Sequence, residues 1–155
     1  MAVRYSQGVF TPKNPEKYCG PNLNRITYRS GWEHSVMRHF DSHPNVLKWS
    51  SECISIPYKH PLLTSTSGKF KIRMYIPDFF VIWADKNGKQ SAAIWEIKPL
   101  KENPWINQGG KFDKRTQLVR AINYAKWSAA IAYCAKRRWQ FQVITEVELF
   151  AFTRK

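Results

Sequence analysis

Residues 76–98 read IPDFFVIWADKNGKQSAAIWEIK. Two apolar runs with the composition of buried strands flank Asp85-Lys86-Asn87-Gly88-Lys89, and Asn-Gly between such runs is a strong hairpin signal. The strands are placed at residues 72–83 and 91–97. If Lys86, Asn87 and Gly88 form a three-residue loop with Gly88 left-handed, Asp85 pairs with Lys89, and the register sets Asp78 directly opposite Glu96. A two-residue turn at Asn87-Gly88 shifts the pairing by one and sends the carboxylates to different faces, unless a bulge at Pro77 compensates.

Carboxylates facing each other across a strand pair repel, and strands as apolar as Phe79-Phe80-Val81-Ile82-Trp83 and Ala92-Ala93-Ile94-Trp95 raise the cost of burying them. A divalent cation removes that penalty. Hard oxygen ligands suit Mg²⁺, or Mn²⁺ in its place, and such an ion binds a phosphodiester oxygen and lowers the pKa of an attacking water. Glu96 and Lys98 share one face of their strand, which places Lys98 to hold that water or to neutralise charge developing on the phosphorane. A lone Glu-x-Lys is more readily a surface ion pair. The joint pattern, Pro77-Asp78 in one strand and Glu96-Ile97-Lys98 in its partner within a basic chain, favours a site.

Upstream, Ser30-Gly31-Trp32-Glu33 matches a capping box, and Trp32, Val36, Met37 and Phe40 follow at helical spacing until Asp41 to Pro44 ends the helix. Glu33 is open to two readings. It closes the capping box, or, lying among Val36, Met37 and Phe40 on the inward face, it joins the site through the metal or Lys98. Short β-type runs follow at residues 46–49 and 53–58, then a Ser/Thr/Gly loop at 64–69. Residues 1–28, rich in Pro, Asn and Lys without periodicity, form an extended N-terminal arm that lies over the domain or reaches for a partner. Residues 29–155 form a single domain.

Downstream, a loop at residues 99–110 precedes a long helix at 112–138. Its apolar stripe is Leu118, Ile122, Ala125, Ala129 and Ala132, and Lys136-Arg137-Arg138 suits the negative end of its dipole. Gln117, at the edge of that stripe, is an auxiliary candidate that reaches the site or stays in solvent. Strands are placed at residues 141–145 and 147–152. The element order predicts an α/β fold with a mixed sheet.

The 155 residues suffice for one core. Lys and Arg number 25 against 11 Asp and Glu, and the net charge of +14 points to a polyanionic partner, most simply DNA. The charge is spread evenly rather than gathered into a lipid-anchoring tail, no apolar run approaches the ~20 residues of a membrane span, and the start does not read as a secretory signal. A soluble, cytoplasmic protein, not secreted and with no membrane partner, is expected. Lys101, Lys111, Lys114, Arg115 and Arg120 are candidates to track a DNA backbone, and Trp105 to stack on a base. Cys19, Cys53 and Cys134 show no metal or disulfide spacing and read as reduced thiols, two of them core filler. The four histidines lack zinc spacing.

Pro77-Asp78, Glu96-Ile97-Lys98 and the preceding helical Glu33 resemble the PD-(D/E)xK nuclease superfamily. Tyr28 to Glu33, Tyr75 to Phe79, Trp95 to Pro99 and Phe141 to Glu146 resemble the endonuclease subunit of heteromeric transposases, the TnsA-like group. The small size and the arm from Pro12 to Tyr18 are similar to the head-completion nucleases of contractile-tailed bacteriophages. The resemblance implies a restriction-endonuclease-like core, a mixed central sheet flanked by helices. It also implies Mg²⁺ held by Asp78, Glu96 and Glu33, catalytic roles for these and Lys98, and hydrolysis of double-stranded DNA. For the phage group it further implies trimming of DNA protruding from a filled head, partners among portal or head-neck proteins, and a place in the host cytoplasm or on the virion. A non-catalytic DNA-end or capsid-binding module, and a transposase subunit, are the alternatives.

Overall fold

The structure, a computed structural model, describes residues 7–106 and 111–153, with side chains as far as Leu149. In chain order the elements are β1 (Gly8–Phe10), β2 (Ile26–Tyr28), α1 (Gly31–Ser42), β3 (Val46–Ser51), β4 (Ile56–Thr64), β5 (Phe70–Tyr75), β6 (Phe79–Ala84), β7 (Gln90–Ile97), α2 (Lys114–Arg137), β8 (Gln140–Ile144) and α3 (Glu146–Thr153). The central sheet has the order β3-β6-β7-β8. Its first two pairings are antiparallel, and β8, reached through the long crossover helix α2, lies parallel to β7. The sheet is therefore mixed.

Alternation along β6 and β7 splits the core between the two faces of this sheet. Phe79, Val81 and Ala93 face a layer built with Val36, Met37 and Phe40 of α1 and Leu149 of α3. Phe80 and Ile94 face Trp127, Ala130 and Cys134 of α2, together with Ile56, Tyr58 and Tyr75 of the β4–β5 hairpin. Trp49 on the first face and Trp127 on the second are fully enclosed. Truncating either to Ala removes a volume whose loss typically costs about 3–5 kcal/mol.

The hairpin between β6 and β7 takes the three-residue loop. Gly88 is left-handed at φ 80°, Asp85 donates its N–H to the Lys89 carbonyl at 2.9 Å, and Phe79 pairs with Trp95. The single strand expected over residues 72–83 is instead two. Pro77 has no N–H to continue a ladder, so β5 ends at Tyr75 and pairs with β4 in a separate two-stranded sheet, while β6 starts at Phe79 in the central one. The run expected at residues 53–58 begins later, at Ile56, and extends to Thr64.

Residues 147–152, expected as a strand, belong to helix α3. Thr145 and Glu148 form a capping box. The Thr145 amide and hydroxyl donate to the Glu148 carboxylate at 2.8 and 2.6 Å, and the Val147 N–H donates to Thr145 Oγ1. In α2 the buried face is Asn123, Trp127, Ala130 and Cys134. The expected stripe is the edge of that face: Leu118 and Ala132 are exposed, and Ile122, Ala125 and Ala129 half-buried. One thiol rather than two fills the core, since Cys19 and Cys53 are exposed.

Of the arm, the described residues 7–28 lie over the domain. β1 pairs with β2, and Phe10 and Tyr18 enter the core. Asp41, buried in the last turn of α1, accepts the amide N–H groups of Lys13 at 2.8 Å and Asn14 at 3.0 Å, and its carbonyl accepts from Asn14 Nδ2 and Lys17 Nζ. Within the loop expected at residues 99–110, Leu100–Glu102 form a 3-10 turn, and residues 107–110, including both adjacent glycines, lie outside the described residues. Among the described residues no helix is long and apolar enough to cross a membrane.

Candidate active site

The break at Pro77 that separates β5 from β6 also marks one end of the central sheet. Asp78 stands at the first position past the break. Its carbonyl accepts the Glu52 N–H at 3.0 Å, prolonging the β3–β6 ladder, and its Oδ2 accepts the Ile97 N–H at 2.8 Å. Extending the register by one pair places it across from Glu96, as the three-residue loop requires. Glu96 is buried, 5% exposed, near the end of β7. Tyr75, the last residue of β5, donates its hydroxyl to Glu96 Oε1 at 2.8 Å, and Lys98 Nζ lies 3.8 Å from Glu96 Oε2. The Lys98 N–H donates to the Ile144 carbonyl, so the parallel ladder with β8 fixes the backbone of the Glu-x-Lys motif through its last residue.

Glu33 enters from the first turn of α1. It closes the helix end: its N–H donates to Ser30 Oγ at 3.1 Å, and its Oε2 accepts from the Arg29 N–H at 3.1 Å. It also lies near enough to add to the negative field at Asp78. The capping reading is the one the hydrogen bonds show, and the capping position leaves the carboxylate close enough to act on Asp78.

Burial dominates the electrostatics. It pushes the Asp78 carboxyl well above the usual carboxylate range, and the charges of Glu96 and then Glu33 push it further. Burial also raises Glu96, against the pull of Lys98 and the Tyr75 hydroxyl, and it raises Glu33. Tyr75 is held well above its ordinary value by burial and by Glu96 beside it. Carboxyls crowded in this way bind protons tightly when no cation is present, and a divalent ion is the ligand that relieves them.

The donor set fits Mg²⁺ or Mn²⁺. Asp78 and Glu96 offer hard oxygens on opposed strands, and Mg²⁺ is commonly held by one or two carboxylates with waters and a substrate phosphate completing its shell. Among the described residues no three His, Cys, Asp or Glu side chains converge into a ready-made cluster.

The helix residue that approaches this end of the sheet is Lys126. Its ammonium lies 5.6 Å from the Tyr75 ring centroid and 5.9 Å from that of Tyr58. Burial lowers its pKa first and the charge of Lys98 lowers it further, while Glu96 and Asp78 pull it back. Gln117 is exposed nine residues earlier, about 13 Å along the helix, and its amide donates to the Phe112 carbonyl. The signal for Lys126 was its spacing, three residues after Asn123 and four before Ala130 on the buried face. Centring the stripe on the alanines concealed it. Tyr75 was missed because the expected strand ran straight through it.

Of the basic residues assigned to DNA, Lys101, Lys111, Lys114 and Arg115 are exposed around the start of α2. Arg120 is engaged elsewhere: its guanidinium donates to the carbonyls of Lys101, Asn103 and Ile106 and covers the Phe112 ring at 4.3 Å. It fastens the loop that carries Lys101. Trp105 keeps one side in solvent and packs its edge on Trp127, with centroids 5.2 Å apart.

The model of the TnsA-like endonuclease N-terminal family matches residues 43–146. The chain belongs to the TnsA-like endonuclease family. The matched stretch runs from just before β3 to the start of α3 and contains Asp78, Glu96, Lys98 and Lys126, whereas Glu33 lies ahead of it. The head completion nuclease of Enterobacteria phage T4 is 32% identical over 146 residues, covering 90% of each chain. The mixed sheet between helices is thus the restriction-endonuclease-like core of a TnsA-like nuclease domain.

Proposed function

We propose that this TnsA-like chain is a Mg²⁺-dependent endonuclease of double-stranded DNA. The observation that carries the reading is the pair of carboxylates, Asp78 and Glu96, brought together at the broken end of the sheet with Lys98 beside them. Asp78 and Glu96 hold the ion, which when bound supplies Lewis-acid activation of the phosphodiester and of water. Tyr75 keeps Glu96 turned toward the site. Lys98, fixed by the β8 ladder, holds the attacking water; the water oxygen bonds to phosphorus as the bond to the leaving sugar oxygen breaks, the water's proton passes to solvent and the leaving oxygen takes a proton up from solvent. Glu33 adds negative field from α1 and stabilises the cation without leaving its capping position.

The likeness to the T4 head completion nuclease supports a phage setting for that chemistry. In this reading the protein trims DNA protruding from a filled head and readies the head for tail joining. It meets portal or head-neck proteins, and it works in the host cytoplasm or on the virion. The charge of +14 suits both packaged DNA and its protruding end.

Incubating linear and supercoiled DNA with the purified chain tests the reading. Cleavage that appears with Mg²⁺ and stops with chelator is the expected result. A chain that binds DNA and never cuts, with either Mg²⁺ or Mn²⁺, would be a non-catalytic DNA-end or capsid-binding module instead.

A further inference from the structure

Lys126 differs from the other cations around the site in how it is held. Lys98 pairs with Glu96. Among the described residues Lys126 makes no hydrogen bond or ion pair, although Asp78 and Glu96 are close enough to attract it and Lys98 close enough to repel it. Its half-buried stem leaves the inward face of α2, and the ammonium hangs over the Tyr58 and Tyr75 rings. Such an aromatic seat holds a cation in place without neutralising it. A lysine present only to balance buried carboxylates would do so more effectively by bonding to one of them. This one keeps its charge near the carboxylates and its donors available, which is the requirement for meeting an anion that arrives later.

We propose that Lys126 is a second substrate-contacting lysine, binding the phosphate of the DNA backbone from the α2 side of the carboxylates while Lys98 acts from the strand side. The proposal rests on the nuclease reading for the identity of that anion. The two lysines have different supports. Lys98 is tied to the sheet through its own N–H, whereas Lys126 is carried by a helix whose buried face includes Trp127, the residue after it. A phosphate bound between them would be gripped from two independently packed layers. Tyr75 serves both, since its hydroxyl orients Glu96 and its ring seats Lys126.

Lys126→Met keeps the stem and removes the charge, and Lys126→Arg keeps the charge and its phosphate-binding donors. Each is compared with wild type for affinity to a short DNA duplex in Ca²⁺ across a salt series, and for single-turnover cleavage in Mg²⁺. One lost phosphate contact lowers the slope of log K against log salt by about 0.9. That drop is expected for Lys126→Met, with cleavage slowed about a hundredfold and both properties largely restored in Lys126→Arg. A salt slope equal to that of wild type in folded Lys126→Met overturns the proposal, whatever its rate. Should Lys126→Met fail to fold, Lys126→Gln carries the same readings. If wild type itself does not cut, the nuclease reading fails, while the salt slope still decides whether Lys126 meets phosphate.

Discussion

Burial, with the charges of Glu96 and Glu33 adding to it, holds the proton of the Asp78 carboxyl more tightly in the folded chain than in the unfolded one. The sign for stability follows. Between the ordinary carboxylate value, about 4, and the raised folded value, the native state carries the extra proton. The contribution to stability is therefore fully present below that window and is lost as pH rises through it. In chelator, Asp78→Asn, whose amide oxygen still accepts the Ile97 N–H, should gain on wild type as pH is raised from 5 to 8. Thermal melts of the two proteins measure it, and a difference that stays constant or reverses would contradict the electrostatic account. The residues behind this effect were legible in the sequence as a motif, because Pro77-Asp78 and Glu96-Ile97-Lys98 sit in runs too apolar to tolerate opposed carboxylates without a purpose. Lys126 and Tyr75 were not. Each is an ordinary residue until tertiary packing brings it to the carboxylates.

Among elements, the β6–β7 hairpin was legible because turn chemistry is local: Asn87-Gly88 offers a left-handed position, and the register follows from it. α1 was legible for the same reason, through its capping box and periodicity. α3 carried an equally local signal, Thr145-x-x-Glu148, which the β-rich composition of the residues after it obscured. The face of α2 could not be read from small residues alone, since alanines fit either side of a helix and the bulky Trp127 decides which side is buried. The fastening of the arm was likewise illegible, because it depends on a carboxylate in α1 meeting amides 27 and 28 residues away. Asp41→Ala leaves both amides without their acceptor. The variant should lose about 2–3 kcal/mol, and hydrogen exchange should quicken in residues 11–18 before it does in β6 and β7. Unchanged protection in the arm would show that Phe10 and Tyr18 hold it without Asp41.

For the whole molecule, three layers converge on one end of the central sheet: α1 brings Glu33, the strands bring Asp78, Glu96 and Lys98, and α2 brings Lys126. Exposed Lys101, Lys111, Lys114 and Arg115 make a basic surface near the start of α2, more than a helical turn away from Lys126. The net charge of +14 attracts a polyanion to that surface, and in the proposed reading the carboxylates would hold a divalent cation. Membership of the TnsA-like endonuclease family agrees with the shape of that frame. Single-turnover cleavage of a DNA duplex by Asp78→Asn and Glu96→Gln in Mg²⁺, each first shown to be folded and to bind DNA, tests the central claim most directly. Both variants should cut at least about a thousandfold more slowly than wild type. Cutting at the wild-type rate by either one would place the chemistry elsewhere.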